Sequence, residues 1–207
     1  MSLFGRSYGT FISGQVFKDG KEIQLRNVSE AIKNGLGYVS EDRKALGLNL
    51  LDDIQDSVVS AKLSKITKLS VIDKVEEHRV AESYRKSLRI KAPRVDEGVN
   101  KLSGGNQQKV VLAKWMFTDP DLLILDEPTR GIDVGAKTEI YGIIRDLAAS
   151  GKGIILISSE LPELLGVSDR IYTIFEGAIT SNMSADEANP ETLLKSMTSA
   201  KKKVNSQ

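Results

Sequence analysis

Asp121-Leu122-Leu123-Ile124-Leu125-Asp126-Glu127-Pro128-Thr129 is the stretch on which the reading of this chain turns. Its continuous apolar run has the length and texture of a strand covered on both faces. The strand delivers two adjacent carboxylates, Asp126 and Glu127, at its exposed end. Such a pair suits nucleotide hydrolysis, because the first can hold Mg²⁺ and the second can orient or deprotonate water. The plainer alternative is a polar loop after a strand, since acidic strand ends are common in α/β folds.

Working outward, Gly153 to Ser158 is a second run of the same kind, and the helical stretch Val134 to Ser150 between the two makes a βαβ unit. Leu36 to Ser40 reads as a further buried strand, ending in the polar loop Glu41-Asp42-Arg43-Lys44. Before it, Gly14 to Leu25 predicts a hairpin about Asp19-Gly20, and Asn27 to Asn34 a short helix stopped by Gly35. Arg170 to Phe175 and Ala178 to Ser181 give a final strand pair, with a closing helix over 190–198. The alternation predicts an α/β domain with a largely parallel sheet.

Between residues 52 and 100 lysine, serine and glutamate dominate, and Val75, Val80, Tyr84 and Leu88 have helical spacing, which predicts a helical insert. His78 is the one histidine and lies in this charged stretch, where it is given no chemistry. The chain has no cysteine, so disulfides, thiolate nucleophiles and cysteine-bound zinc are excluded. Lys plus Arg (29) balance Asp plus Glu (28), which advertises neither nucleic acid nor disorder. No run of eighteen apolar residues occurs, so a membrane link is expected to run through a partner. Met1-Ser2-Leu3 reads as an expression scar, and the lysine-rich end, 199–207, as a disordered, solvated tail.

Leu102-Ser103-Gly104-Gly105-Asn106-Gln107-Gln108 places a serine and two glycines at the start of a helix, Asn106 to Thr118, that is apolar on one side. Bare backbone N–H groups, a hydroxyl and the positive helix end suit phosphate oxygens; alone, the motif reads equally as a serine cap with flexible glycines. The order decides: Ser-Gly-Gly-Asn-Gln-Gln, a helix, Asp-Pro, an apolar strand, then Asp-Glu-Pro-Thr. That succession resembles the ABC ATPases, with Leu102–Gln108 as the signature motif and Leu122–Glu127 as Walker B.

The resemblance implies a P-loop NTPase-like fold with a helical subdomain, using ATP and Mg²⁺. It implies signature contacts to ATP in trans from Ser103, Gly104, Gly105 and Gln107, a Mg²⁺ contact through water at Asp126, and catalysis at Glu127. Gly131-Ile132-Asp133 matches the D-loop, so Asp133 is expected at an interface between domains. Two positions depart from the pattern: Ser159 stands where the family has its switch histidine, and Glu41 where it has the Q-loop glutamine. Serine offers no imidazole, and a carboxylate repels phosphates where an amide would not. The P-loop, glycine, four residues, then Gly-Lys-Ser/Thr, occurs nowhere in the chain. The expectation is a chain cut before residue 1, missing the P-loop strand and helix, with weak or no ATP binding, irregularity near 1–14 or self-association through the gap in the sheet.

The expected divisions are 1–51 and 101–198 for the ATPase core and 52–100 for the helical subdomain. Gly37 to Lys44, Asn106 to Lys109, Pro128 to Lys137 and Ser158 to Glu163 resemble the second ATP-binding half of bacterial monosaccharide importers of the ribose, xylose and galactose type. That resemblance implies an N-terminal ATP-binding half as partner, membrane permease subunits met through residues 41 to about 100, a sugar-binding protein acting indirectly, and a cytoplasmic place on the inner face of the membrane. A non-hydrolysing regulatory half is the rival reading. A DNA-repair or translation ATPase of the same family fits less well, because the insert is short and without heptads and no basic linkers suggest nucleic acid.

Overall fold

The computed structural model describes Phe4 and residues 13–198, so the expectations for the chain start and for the tail 199–207 lie outside the described residues, Phe4, Ser13 and Gly14 excepted. The chain forms two compact units, Met1–Ile157 and Ser158–Gln207.

The first unit opens with a hairpin of β1 (Val16–Lys18) and β2 (Lys21–Ile23). Its turn residues Asp19 and Gly20 both have positive φ, as a tight hairpin with right-handed strand twist requires. Helix α1 (Val28–Lys33) follows; the Asn27 side chain accepts the Glu30 N–H at its start. Strand β3 (Leu36–Val39) is buried along its whole length. The expected polar loop after it is instead a π-helical turn, Arg43–Gly47, whose first amides are held by the Asp42 carboxylate. Asp42 supplies the cap that lets a charged segment wind.

The insert is more mixed than its spacing predicts. After α2 (Ile54–Val59) and a 3₁₀ stretch, Ser60–Lys65, the chain makes a small hairpin, β4 (Thr67–Lys68) with β5 (Val71–Ile72), before α3 (Lys74–Ser87). The buried line along α3 begins at Glu77 and Ala81, whereas Val75 is 81% exposed. Val75 lies in the first turn and faces solvent, so its apolar character carries little packing.

Helix α4 (Gly104–Phe117) is the spine of this unit and is buried on most sides, including Gln107, Gln108 and Lys109. Burial of polar groups on this scale is tolerable where they are bonded. Gln107 Nε2 donates to Val99 O (3.0 Å), and Lys109 Nζ donates to Arg89 O (2.9 Å). At the other end, Lys65 and Lys62 donate to the last carbonyls, Phe117 O (2.7 Å) and Thr118 O (3.1 Å), where cations also complement the helix dipole.

Strand β6 (Leu122–Asp126), helix α5 (Val134–Ala149) and strand β7 (Gly153–Ile157) complete the predicted βαβ unit. The sheet is parallel with order β3-β6-β7 and register Leu36↔Leu122 and Leu122↔Gly153. β6 is the middle strand and is buried as expected. β7 is not: among the described residues it pairs only with β6, and Ile155 and Ile157 are 43% and 46% exposed. An apolar run records the burial a strand can accept, and its neighbours decide whether it receives it.

The second unit holds α6 (Leu161–Val167), the antiparallel pair β8 (Arg170–Phe175) and β9 (Ala178–Ser184), and α7 (Pro190–Thr198). Ile171 and Leu193 are its buried apolar residues. A hydroxyl network lies beside them, Thr173 Oγ1 with Thr180 (2.9 Å), Ser181 (2.8 Å) and Ser196 (3.0 Å).

Candidate active site

The site grows from the C-terminal end of β6, where ligands bind in open parallel sheets. Asp126 ends the strand, and its Oδ2 accepts the Tyr38 hydroxyl at 2.6 Å. Glu127 follows with φ +46°, in the left-handed region that a non-glycine residue occupies at a cost of roughly 1–2 kcal/mol. Its amide donates to Ile157 O (2.9 Å), which holds the strained turn against the end of β7. The left-handed backbone at Glu127 ends the strand immediately after the aspartate.

The following loop is closed locally by Arg130 N–H to Glu127 O (3.1 Å) and Ile132 N–H to Thr129 O (3.2 Å). From across the sheet, Arg43 Nη1 donates to Arg130 O (3.0 Å), and Glu41 forms an ion pair with the Arg130 guanidinium. The segment from Tyr38 to Arg43 therefore grips the acidic loop at both ends. The carboxylate of Glu41, expected to repel phosphates, has a cation beside it. Arg43 and Arg130 carried no sequence signal of their own; only their contact across 87 positions reveals them.

Ser103 occupies the N-cap position of α4, its carbonyl accepting Gln107 N–H (2.9 Å) while its side chain makes no bond to the helix backbone; its Oγ accepts from Asn106 Nδ2 (2.8 Å), and Asn106 Oδ1 accepts Lys91 N–H (2.8 Å). The glycines permit close approach. A Cβ on Gly104 would stand 2.7 Å from Arg43 Nη2, and one on Gly105 would stand 2.5 Å from Ala136 Cβ. Asp133 caps α5, accepting Ala136 N–H at 2.9 Å. Ser103, Gly105, Asp133 and Ala136 line one cavity of about 180 Å³, together with Lys91, Asn106, Lys109, Gly135 and Glu139. Gln107 is not among them; it is buried, with its amide donating to Val99 O. Ser159 belongs to the second unit, beside Ser158, whose Oγ accepts Glu160 N–H (3.0 Å).

A second, larger cavity of about 570 Å³ lies under the π-helical turn, lined by residues 44–52 with Ser57, Ser60 and Lys114. Lys114 Nζ donates to Gly47 O (2.7 Å); burial pushes its pKa down, against the opposing pull of Asp52. Leu46 and Leu51 are exposed at this turn.

No group of three or more metal-ligating residues occurs among the described residues. The single Asp126 carboxylate, with one oxygen committed to Tyr38, nevertheless fits Mg²⁺, which keeps several waters and takes one or two carboxylates plus substrate phosphates. No helix among the described residues is long and apolar enough to cross a membrane.

A model of the family described as ABC transporter matches residues 2–130. The L-arabinose transport ATP-binding protein of Geobacillus stearothermophilus is 56% identical over 96% of this chain and 39% of its own length. The xylose import ATP-binding protein of Geobacillus kaustophilus is 52% identical over 97% of this chain and 40% of its own. The ribose import ATP-binding protein of Clostridium perfringens is 47% identical over 94% and 38%. The chain thus spans about two fifths of the length of these curated relatives. Among solved structures, a nucleotide-free ATP-binding cassette from an ABC transporter superposes with TM-score 0.71 at 16% identity, covering 94% of this chain and 78% of the other. An ATP-binding cassette in its ADP conformation gives 0.72 at 17% identity, covering 94% and 79%. At these identities the structural likeness speaks for the fold alone.

Proposed function

From the premise that this chain belongs to the ABC transporter family, we propose that it is part of an ATP-binding subunit that couples ATP binding and hydrolysis to import of a monosaccharide through a membrane permease. The observation that carries the reading is the Asp126-Glu127 pair at the end of the middle strand, with one aspartate oxygen engaged by Tyr38 and the glutamate held in a left-handed backbone. Asp126 is the residue that would hold Mg²⁺, and the ion when bound would screen the phosphate charge. Glu127 orients the attacking water and takes its proton.

Ser103, Gly104 and Gly105 serve a different nucleotide, bound on a partner ATP-binding half, which the Ser103 hydroxyl and the first amides of α4 would receive. Gln107 supports that surface from beneath, and Asp133 lies at the same cavity, where the partner would approach. The exposed Leu46 and Leu51 beside the larger cavity are the proposed permease contact, with residues 52–100 as the helical subdomain. The subunit would then sit in the cytoplasm against the membrane, with a sugar-binding protein acting through the permease.

A second reading, a regulatory half that never hydrolyses ATP in its own site, is favoured by Ser159 and by Glu41. Glu41 is occupied with Arg130 and offers no amide. Both readings keep Ser103 to Gly105 in use.

Calorimetric titration of ATP with Mg²⁺ tests the proposal, on this chain and on a form extended upstream to the length of its relatives. Binding only by the longer form supports a nucleotide site completed by upstream residues. Tight binding by this chain alone would sink that account of the site. Sedimentation of this chain reports whether it self-associates when alone.

A further inference from the structure

We propose that Tyr38 is a positioning residue for the Asp126 carboxylate, holding one oxygen so that the other is presented to the water shell of a nucleotide-bound Mg²⁺. The inference rests on the reading of Asp126 as the metal-facing group.

The geometry begins with strand register. Tyr38 on β3 pairs with Ile124 on β6, and Asp126 stands two residues beyond Ile124, on the same face of the sheet. A long side chain leaning along the strand reaches that diagonal neighbour. The hydroxyl meets Asp126 Oδ2 at 2.6 Å, the ordinary length for a hydroxyl donating to a carboxylate.

The donor is fixed independently of the bond it makes. The Tyr38 ring is 8% exposed and lies 5.7 Å from the ring of Phe4, which in turn stands edge-on to Trp115 at 5.1 Å. With the phenol anchored by packing, the carboxylate has to adapt to it. A carboxylate has about four lone-pair sites, and the phenol uses one, on a single oxygen. Outer groups that orient a metal-facing ligand in this way set its affinity for the metal. Packing needs the ring only, which phenylalanine would also supply, so the hydroxyl can be removed by itself.

The test uses the extended form with E127Q to stop turnover, saturating ATP, and Mn²⁺ as the metal, followed by electron paramagnetic resonance. Y38F is expected to weaken Mn²⁺ binding about tenfold, with ATP affinity in the absence of metal unchanged. 3-Fluorotyrosine at position 38, which keeps both ring and donor, is expected to retain the wild-type Mn²⁺ affinity and guards against a loss due to misfolding. D126N is expected to weaken Mn²⁺ at least as much as Y38F. Should D126N weaken the metal while Y38F leaves it untouched, the role given to Tyr38 is overturned and the reading of Asp126 stands. Should D126N have no effect, that reading fails and takes this one with it. A Y38F variant that loses metal-free ATP binding by the same factor would overturn the proposal too, since the hydroxyl would then serve the fold.

Discussion

Lys109 Nζ, on a side chain only 1% exposed, lies 2.6 Å from a carboxylate oxygen of Glu139, joining α4 to α5 in the wall of the cavity that Ser103 also lines. Replacing the acid by an amide leaves the buried ammonium with neutral acceptors alone, the amide oxygen and the Arg89 carbonyl. E139Q is therefore expected to destabilise the chain by about 1–3 kcal/mol, a discount on the loss for a fully buried pair because Glu139 is partly exposed. Urea titration checks this.

The same pair makes a pH prediction. The hydrogen bond from Lys109 holds the Glu139 carboxyl below the ordinary carboxylate range, partly opposed by desolvation. A depressed folded-state pKa means that the unfolded chain binds the proton first, so the stabilisation is present above the ordinary carboxylate pKa and is lost as pH falls through the folded value. The gap in urea midpoint between wild type and E139Q should close over that acid window and stay constant around neutrality. A gap that persists unchanged below the window would refute the assignment.

Gly105 is tested through its neighbour. Its Cβ would overlap Ala136 Cβ, so G105A is expected to cost about 1–3 kcal/mol through overpacking, and G105A with A136G to recover most of it. Failure of the double variant to recover would locate the need for glycine elsewhere, in the backbone of the signature loop.

Leu69 and Ser70 form the β4–β5 turn with φ +49° and +65°, and Leu69 is fully exposed. Replacement by Asn-Gly, which adopts these angles with little strain, should stabilise the chain by about 1 kcal/mol, read as a higher thermal midpoint. An unchanged or lower midpoint would mean that Leu69 has a packing role its exposure hides.

The Glu41–Arg130 pair is exposed, and E41A alone should shift stability by less than about 1 kcal/mol. R43A should cost more, because Arg43 is half-buried and its bond to Arg130 O ties the acidic loop to the segment after β3. Hydrogen exchange at Glu127 to Ile132 reports that loop; faster exchange in E41A than in R43A would reverse the order argued here.

The sequence by itself determined the local features. The Asp19-Gly20 turn, the short helix after Asn27, the buried strand at Leu122 to Leu125 and the βαβ unit all follow from short-range steric and hydrogen-bonding preferences that the residues carry wherever they are placed. Motif order likewise marked Ser103 to Gly105 and Asp126-Glu127. Tertiary structure alone decided what depends on partners distant in the chain. Tyr38 meets Asp126 across 88 positions only because two parallel strands pair in one register. The Gly153–Ser158 run, read as doubly covered, is half open along its strand Gly153–Ile157, because a strand's burial is conferred by its neighbours. Glu41, read as a bare charge, sits beside Arg130, because the field at a residue is set by what the fold brings next to it.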